Sequence, residues 1–327
     1  MARDRLGRPA HLLEKDVWVV WALNALFGAG FSDATTFKGG TTLSKVYNVI
    51  DRFSEDIDLT YDIRNLIPEA HAESTDAIPK SRSQASRWSK AVRAGLPQWI
   101  GDIVVPHLQQ VLADARLEAR LEQIEDKLLL HYDPLSAGTG YVRPVVALEF
   151  GARATGEPHQ RREVRCDMAG HVEGVVFPTA MPLVMDITRT FWEKATAAHV
   201  YCAQKRIRGE RYARHWHDLA AIARSEYLGS VLGSRDVAQA VANHKSCFFV
   251  EKSHAGQVID YHAAVSGQLH LVPMDDARDA LAQDYRSMIE DQVLIGDGMS
   301  FEQLMTECAR LQDLANQAMA NHEGGRR

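Results

Sequence analysis

Two short stretches of this sequence carry residues suited to holding a metal-bound triphosphate. The first is Phe37-Lys-Gly-Gly-Thr-Thr-Leu-Ser-Lys45, and the second is Phe53-Ser-Glu-Asp-Ile-Asp-Leu59. In the first stretch, Gly39 and Gly40 permit a tight strand-to-helix turn and let the backbone approach a phosphate closely. The N–H groups at the start of the following helix, at the positive end of its dipole, then attract that phosphate.

The second stretch places two acids on one face of a strand. Asp56 and Asp58 are two residues apart, so both side chains point to one side while Ile57 and Leu59 point to the other. Neighbouring carboxylates repel each other unless a cation lies between them, and hard oxygen ligands favour Mg²⁺, with Mn²⁺ as an alternative. The pair therefore predicts a metal site that bridges to the triphosphate and neutralises charge on the pyrophosphate leaving group.

Further polar residues in these stretches are candidates for contacting the phosphates. Lys38 precedes the glycines, where an ammonium can meet a phosphate, although a surface lysine at a strand end looks the same in sequence. Thr41 and Ser54 offer hydroxyl groups, and Thr41 is equally suited to capping the helix. The predicted nucleotide-binding set is Lys38, Gly39, Gly40, Thr41 and Ser54.

A third carboxylate is predicted from the apolar run Val145-Val-Ala-Leu-Glu-Phe150, which Glu149 interrupts. A buried acid without a partner is costly, so Glu149 requires either a metal or a cation. It is therefore predicted as the third metal ligand, with an ion pair to Arg153 as the alternative and Asp167 as the rival ligand. The proton of the attacking hydroxyl passes to Asp56 or to Glu149, and the spacing does not choose between them.

Two residues in the second half of the chain are also candidates. Lys194 lies on a helix face that is predicted to be buried, where its ammonium needs an anion such as a triphosphate or else extends to solvent. Asp218 is spaced for an i,i+4 ion pair with Arg214, on the face of its helix opposite a core-facing stripe that includes Trp216 and Leu219.

Taken together, these pieces resemble the nucleotidyltransferase toxins of the AbiEii/AbiGii and MenT type. The resemblance rests on four pieces that occur in family order: Lys38-Gly-Gly-Thr-Thr-Leu-Ser44, Arg52-Phe-Ser-Glu-Asp-Ile-Asp-Leu59, Thr190-Phe-Trp-Glu-Lys194 and Arg211-Tyr-Ala-Arg-His-Trp-His-Asp-Leu219. It implies a toxin of a bacterial toxin–antitoxin or abortive-infection system that adds nucleotides from an NTP to the 3′ end of transfer RNA. It also implies functional roles for Lys194 and Asp218, and an antitoxin that acts with or without a stable complex.

Two other functions are compatible with the same residues. The nucleotide can be transferred to a protein side chain or to a small molecule such as an aminoglycoside, or the protein can be a nucleotide-binding regulator without turnover. The intact acid pair argues against an inactive protein.

The net charge of −6 gives no general attraction to RNA, but two local basic clusters modestly favour RNA as the acceptor. They are Lys80, Arg82, Arg87, Lys90 and Arg93, and Lys205, Arg206, Arg208, Arg211 and Arg214.

The composition is typical of a globular protein, and four scattered cysteines indicate a reduced, cytoplasmic one without a disulfide framework. The order of elements predicts an α+β fold: a nucleotidyltransferase-like small mixed sheet flanked by helices, then an α-helical C-terminal half. The predicted domains are 1–187 and 188–327, the second completing the active-site cleft. The predicted elements are helices at 11–27 and 41–50, strands at 55–61, 141–152 and 161–168, an irregular Ser-rich segment at 69–90, and a last helix from Phe301.

Overall fold

The computed structural model describes residues 8–52, 54, 56–73, 76–136, 143–206, 211–290, 294 and 298–320, with backbone only for 71–73. Its chain divides into two units. The first unit comprises Met1–Val46, Ser54–Pro79 and Ser83–Met185, and the second comprises Tyr47–Phe53, Lys80–Arg82 and Asp186–Arg327. The main division therefore follows Met185, and a short segment between the two motifs of the N-terminal half belongs to the second unit.

Within the described part of the first unit, seven strands form one mixed sheet. These strands are β1 (Thr35–Lys38), β2 (Ile57–Tyr61), β3 (Ala119–Ile124), β4 (Lys127–Tyr132), β5 (Val145–Gly151), β6 (His159–Arg161) and β9 (Leu183–Met185). Their order in the sheet is β3-β4-β5-β2-β1-β9-β6. The short strands β7 (Val164–Arg165) and β8 (Thr179–Ala180) pair separately. The predicted α+β class with a mixed sheet is confirmed.

Strand β2 is central because it pairs on both sides. It runs antiparallel to β1 and parallel to β5. Ile57 and Leu59 are buried, which leaves Asp56 and Asp58 only partly covered, as the alternation of a half-buried strand requires. The predicted strand from Glu55 starts at Ile57 instead, and Glu55 itself lies outside the described residues.

Helices cover this sheet. They are α1 (Ala10–Phe27), α2 (Gly40–Lys45), α3 (Ile63–Leu66), α4 (Pro68–Glu73), α5 (Arg82–Trp99) and α6 (Val105–Ala115), with a π-helical turn at Ile100–Val104. Helix α1, which packs against β5 and β8, is the helix predicted at 11–27, and much of it is buried. Trp99 stacks on Tyr61 of β2 with ring centroids 3.9 Å apart, which joins α5 to the centre of the sheet.

Two predictions about these helices are wrong. The helix predicted to reach Ile50 ends at Lys45, because Asn48 takes a left-handed conformation (φ 51°) and Tyr47 is buried in the second unit against Tyr227. The segment 69–90, predicted to be irregular, contains α4 and much of α5. The Ser-rich composition predicted an irregular segment, but α5 has buried apolar residues at helical spacing, namely Ala85, Trp88, Val92 and Leu96.

The hairpin of β3 and β4 was not predicted from the sequence, and the predicted strand at 161–168 is two short strands. Pro106 lies in the first turn of α6, where its missing N–H costs nothing, so it opens a second helix after the π-helical turn.

The second unit is α-helical over its described residues, as predicted. Its helices are α7 (Ile187–Gln204), α8 (Ala213–Ala223), α9 (Leu228–Gly233), α10 (Arg235–Phe248), α11 (Tyr261–Ala264), α12 (Asp275–Glu290) and α13 (Phe301–Ala320). Trp192 and Trp216 are fully buried in its core, and each indole N–H donates to a backbone carbonyl, of Val231 at 3.3 Å and Leu271 at 2.6 Å. No helix among the described residues has both the length and the apolar composition needed to cross a membrane.

We expect Trp88→Ala to lower the free energy of unfolding by about 3–5 kcal/mol, because it removes a fully buried ring from α5. Ser86→Ala, two residues away on the exposed face, is the matched control and should change it by less than about 0.5 kcal/mol. Urea denaturation followed by circular dichroism measures both. Equal small effects would contradict the assignment of 82–99 as a packed helix.

Candidate functional site

The glycine turn and the acidic strand meet at Gly39 and Asp58. Gly39 has φ 83° and ψ −158°, a backbone conformation that is essentially restricted to glycine. A Cβ added to Gly39 would overlap the Oδ2 atom of Asp58 and lie 2.8 Å from its Cγ. The carboxylate of Asp58 therefore lies directly against the Cα of the turn, and the absent side chain is what makes room for it.

Four charged residues form a row across adjacent strands of the sheet. Lys38 of β1 is in register with Asp58 of β2, Asp58 with Glu149 of β5, and Glu149 with Lys127 of β4. Neighbouring strands are about 4.8 Å apart, so these side chains are neighbours on one face. The row reads cation, acid, acid, cation, which places the two acids beside each other between two lysines.

Glu149 has a cationic partner in this row. Its Oε1 atom lies 2.5 Å from Nζ of Lys127, and this hydrogen bond is the main cause that raises the pKa of Lys127, with the charge of Asp56 adding to it. The sequence predicted a metal or Arg153 as the partner of Glu149. The partner seen in the structure is Lys127 of the unpredicted β3–β4 hairpin, whose register brings it beside Glu149.

A pocket of about 200 Å³ opens at this row. Its described lining combines acids, lysines and the adjoining backbone of β2 and β5, and consists of Lys38, Asp58, Leu59, Asp126, Lys127, Glu149, Phe150 and Gly151. The pocket thus contains both the acid that touches the glycine turn and the lysine that precedes the turn.

Thr41 fixes the position of Asp56. The Thr41 side chain is fully buried, and its hydroxyl donates to the Asp56 carbonyl at 2.5 Å and lies 2.9 Å from Oγ of Ser54. It does not cap α2, since the N-cap residue is Gly39 and no side chain caps that helix end. Thr41 and Ser54, predicted to contact phosphates, are seen here holding the backbone just before the acidic strand.

The donor set at the acidic strand fits Mg²⁺ bound jointly with a nucleotide. The described residues contain no group of three or more His, Cys, Asp or Glu side chains arranged to hold a metal by themselves. Magnesium, however, is commonly bound by one or two carboxylates together with substrate phosphates and water. Asp56 and Asp58 supply two such carboxylates, and Asp58 lies against a turn where a phosphate can approach the backbone.

Asp167, the rival third ligand, belongs to a different cluster. Nζ of Lys45, at the end of α2, lies 2.6 Å from Oδ1 of Asp167 and also pairs with Asp16, while Arg8 pairs with Asp167. Burial raises the pKa of Asp16 and lowers the pKa of Lys45, and each charge opposes the shift of the other. This cluster anchors the C-terminal end of the helix that follows the glycine turn, a function that the sequence did not reveal.

In the second unit, Lys194 and Asp218 are in contact. Nζ of Lys194 lies 2.9 Å from Oδ2 of Asp218, whose side chain is fully buried while that of Lys194 is 12% exposed. Arg52 binds the same carboxylate through two hydrogen bonds. Burial would raise the pKa of Asp218, but the charges of Arg52 and Lys194 hold it well below its usual value, so the carboxylate stays ionised.

The helix face that carries Lys194 is buried at Phe191 and Ala198, as predicted, whereas the prediction that Asp218 faces away from the core is wrong. Asp218 is buried because cations from α7 and from the segment before β2 reach it, and helical spacing within α8 cannot reveal such partners. Nearby His215 is neutral at physiological pH, because burial and then Lys194 lower its pKa to about 3. The two predicted catalytic residues, Lys194 and Asp218, thus form an ion pair. Arg52 belongs to the same cluster and was not predicted from the sequence.

Comparison with known proteins places these features in context. The family model described as nucleotidyl transferase AbiEii toxin of type IV toxin–antitoxin systems matches residues 21–307. No curated protein matches the sequence. Among solved structures, the nucleotidyltransferase toxin MenT4 (Rv2826c) of Mycobacterium tuberculosis H37Rv is 17% identical, with a TM-score of 0.45, over 99% of this chain and 94% of that chain. JHP933 from Helicobacter pylori is 14% identical, with a TM-score of 0.45, over 97% and 96%.

We expect Gly39→Ala to weaken binding of Mn²⁺ in the presence of a nucleoside triphosphate by at least about tenfold, because the added Cβ must displace the Asp58 carboxylate. The strained backbone alone costs about 1–3 kcal/mol of stability. Gly30→Ala is the matched control, since a Cβ there meets nothing within 4 Å. Electron paramagnetic resonance of free Mn²⁺ gives both affinities, and unchanged binding in folded Gly39→Ala would contradict the assigned contact.

Proposed function

The chain belongs to the AbiEii nucleotidyltransferase toxin family, and from that premise we propose that it transfers a nucleoside monophosphate from an NTP to an acceptor hydroxyl, with release of pyrophosphate. The observation that carries this proposal is the contact of Asp58 with Gly39, which joins a phosphate-approachable turn to one acid of the pair, and Asp58 also lines the pocket. This arrangement supports nucleotide binding by the same residues that would hold the metal.

Each residue of the candidate site has a separate task in this proposal. Asp56 and Asp58 would hold Mg²⁺, which when bound would neutralise charge on the triphosphate and on the leaving pyrophosphate. Lys38 and the backbone of Gly39 and Gly40 contact the phosphates, and Thr41 with Ser54 keeps Asp56 in place. Catalysis then rests on positioning and on electrostatic stabilisation, as in other phosphoryl-group transfers.

Glu149 is assigned to hold Lys127 rather than to bind the metal directly. The 2.5 Å contact between Oε1 of Glu149 and Nζ of Lys127 supports this, since it is a charge-assisted hydrogen bond. Lys127 is then kept beside Glu149, at the end of the row opposite Lys38, and adds a second positive charge at the pocket.

Lys194 and Asp218 are proposed to take part in the same reaction, as their motifs suggest. The Lys194 side chain is partly buried and pairs with the ionised carboxylate of Asp218. We propose that its ammonium also binds a phosphate oxygen of the nucleotide. We retain 1–187 and 188–327 as the proposed functional domains.

We propose the 3′ end of transfer RNA as the acceptor. Exposed cations on α5, namely Arg87, Lys90 and Arg93, recur every three residues along one side of the helix and suit contacts to a phosphate backbone. A second exposed set, Lys205, Arg206 and Arg211, lies in the second unit, and Arg208 of that cluster lies outside the described residues.

The family's type IV toxin–antitoxin description supports a cytoplasmic toxin controlled by an antitoxin that need not bind it stably.

Incubation of the pure protein with each labelled NTP and total transfer RNA tests this function. Label on RNA supports the proposal, label on protein or on an added aminoglycoside supports the alternative acceptors, and nucleotide binding without transfer indicates a regulator.

We expect Asp58→Asn to reduce transfer by about a thousandfold, because the metal-binding charge is lost. Asp133→Asn, an exposed acid outside the pocket, should retain wild-type activity. Comparable activity of Asp58→Asn and wild type would refute the assigned site.

The role of Glu149 has its own test. We expect Glu149→Gln and Lys127→Met to reduce transfer by similar amounts, about tenfold each, and the double variant to lose little more, because they remove one shared interaction. The Mg²⁺ concentration needed for half-maximal transfer should stay within about threefold of wild type in Glu149→Gln. A loss as large as that of Asp58→Asn, with a raised metal requirement, would make Glu149 a direct ligand instead.

A further inference from the structure

Arg52 binds the Asp218 carboxylate in a bidentate geometry. Its Nε donates to Oδ1 at 2.7 Å and its Nη2 donates to Oδ2 at 2.8 Å. The guanidinium is planar and permanently charged, so two parallel hydrogen bonds fix both the plane and the direction of the carboxylate. The position of Oδ2, which also receives Lys194 at 2.9 Å, is thereby set by Arg52.

One carboxylate serves two cations in this cluster. Asp218 accepts both hydrogen bonds of Arg52 and also pairs with Lys194, and Nδ1 of His217 lies 3.5 Å from its Oδ1 atom. Since Arg52 occupies both carboxylate oxygens, Lys194 is held by only one of them and keeps its other donors for a phosphate.

Arg52 is itself held firmly in the second unit. Its side chain is 3% exposed, and its backbone forms an antiparallel bridge with Leu294. In the chain it precedes Asp56 by four residues, so the segment that carries it leads directly into the acidic strand. A guanidinium fixed at both its backbone and its head is suited to orienting another group rather than to moving with a ligand.

We propose that Arg52 is a positioning residue for nucleotidyl transfer, which acts by holding Asp218 so that the Lys194 ammonium is directed to the phosphates. The inference rests on the proposed function and adds a residue to it. Without Arg52, Asp218 would lose the bidentate contact that fixes the plane of its carboxylate, and the Lys194 ammonium would lose a partner of fixed position. Arg52 therefore governs catalysis without touching the substrate.

Arg52→Lys tests this role because it keeps the charge and removes the bidentate geometry. We expect kcat to fall by at least about tenfold while KM for the NTP changes by less than about threefold, the pattern for a misplaced catalytic group. Arg189→Lys is the matched control: Arg189 is 7% exposed and pairs with Glu193 on the helix that carries Lys194. It should leave both constants within about threefold of wild type.

A double-variant cycle separates positioning from a loss of stability. In a Lys194→Met background, Arg52→Lys should lower the single-turnover transfer rate by less than about twofold, because the group through which it acts is already gone. Arg52→Gln repeats the cycle with a second side chain, and all assays run below the lowest melting temperature. Dissociation constants of a fluorescent NTP analogue for the four proteins of each cycle provide a second readout where transfer by Lys194→Met is too slow to measure.

Two results would overturn the inference while leaving the proposed function standing. One is wild-type kcat in folded Arg52→Lys, and the other is an equally large loss in the Lys194→Met background, which would mean that Arg52 acts elsewhere. If instead the wild-type protein transfers no label from any NTP, the proposed function itself fails. The cycle of nucleotide dissociation constants then still reports whether Arg52 and Lys194 act together.

Discussion

The candidate site depends on one close approach, between the Asp58 carboxylate and the Cα of Gly39. Only glycine has both the backbone freedom for φ 83° and the space that this carboxylate occupies. The sheet register adds to this contact, since Asp58 lies beside Lys38 on one strand and beside Glu149 on the other. The turn proposed to receive a phosphate and the acid proposed to bind a metal are thereby held together by the fold.

Charge pairing organises the residues around that contact. Lys127 holds Glu149 and Lys45 holds Asp16 and Asp167, so these three acids outside the proposed metal pair each have a cation fixed by the fold. In the second unit, by contrast, the single carboxylate of Asp218 is shared by Arg52 and Lys194.

The sequence predicted what depends on local spacing. The alternation at 56–59 and the glycine turn located the acid strand and its neighbour, and helical periodicity predicted the burial of Lys194. Partners fixed by long-range pairing were not predictable in this way. Lys127 reaches Glu149 through a hairpin register, and Arg52 reaches Asp218 across 166 residues of sequence. The buried stripe that includes Trp88 has helical periodicity in the sequence, whereas the Ser-rich composition of 69–90 favours an irregular segment.

The most direct test is a crystal structure of the protein with Mg²⁺ and a non-hydrolysable NTP. The account predicts a metal ion coordinated by Asp56, Asp58 and triphosphate oxygens, with the phosphates against the backbone of Gly39 and Gly40. A triphosphate bound away from that turn, or a metal ion that neither aspartate touches, would contradict it.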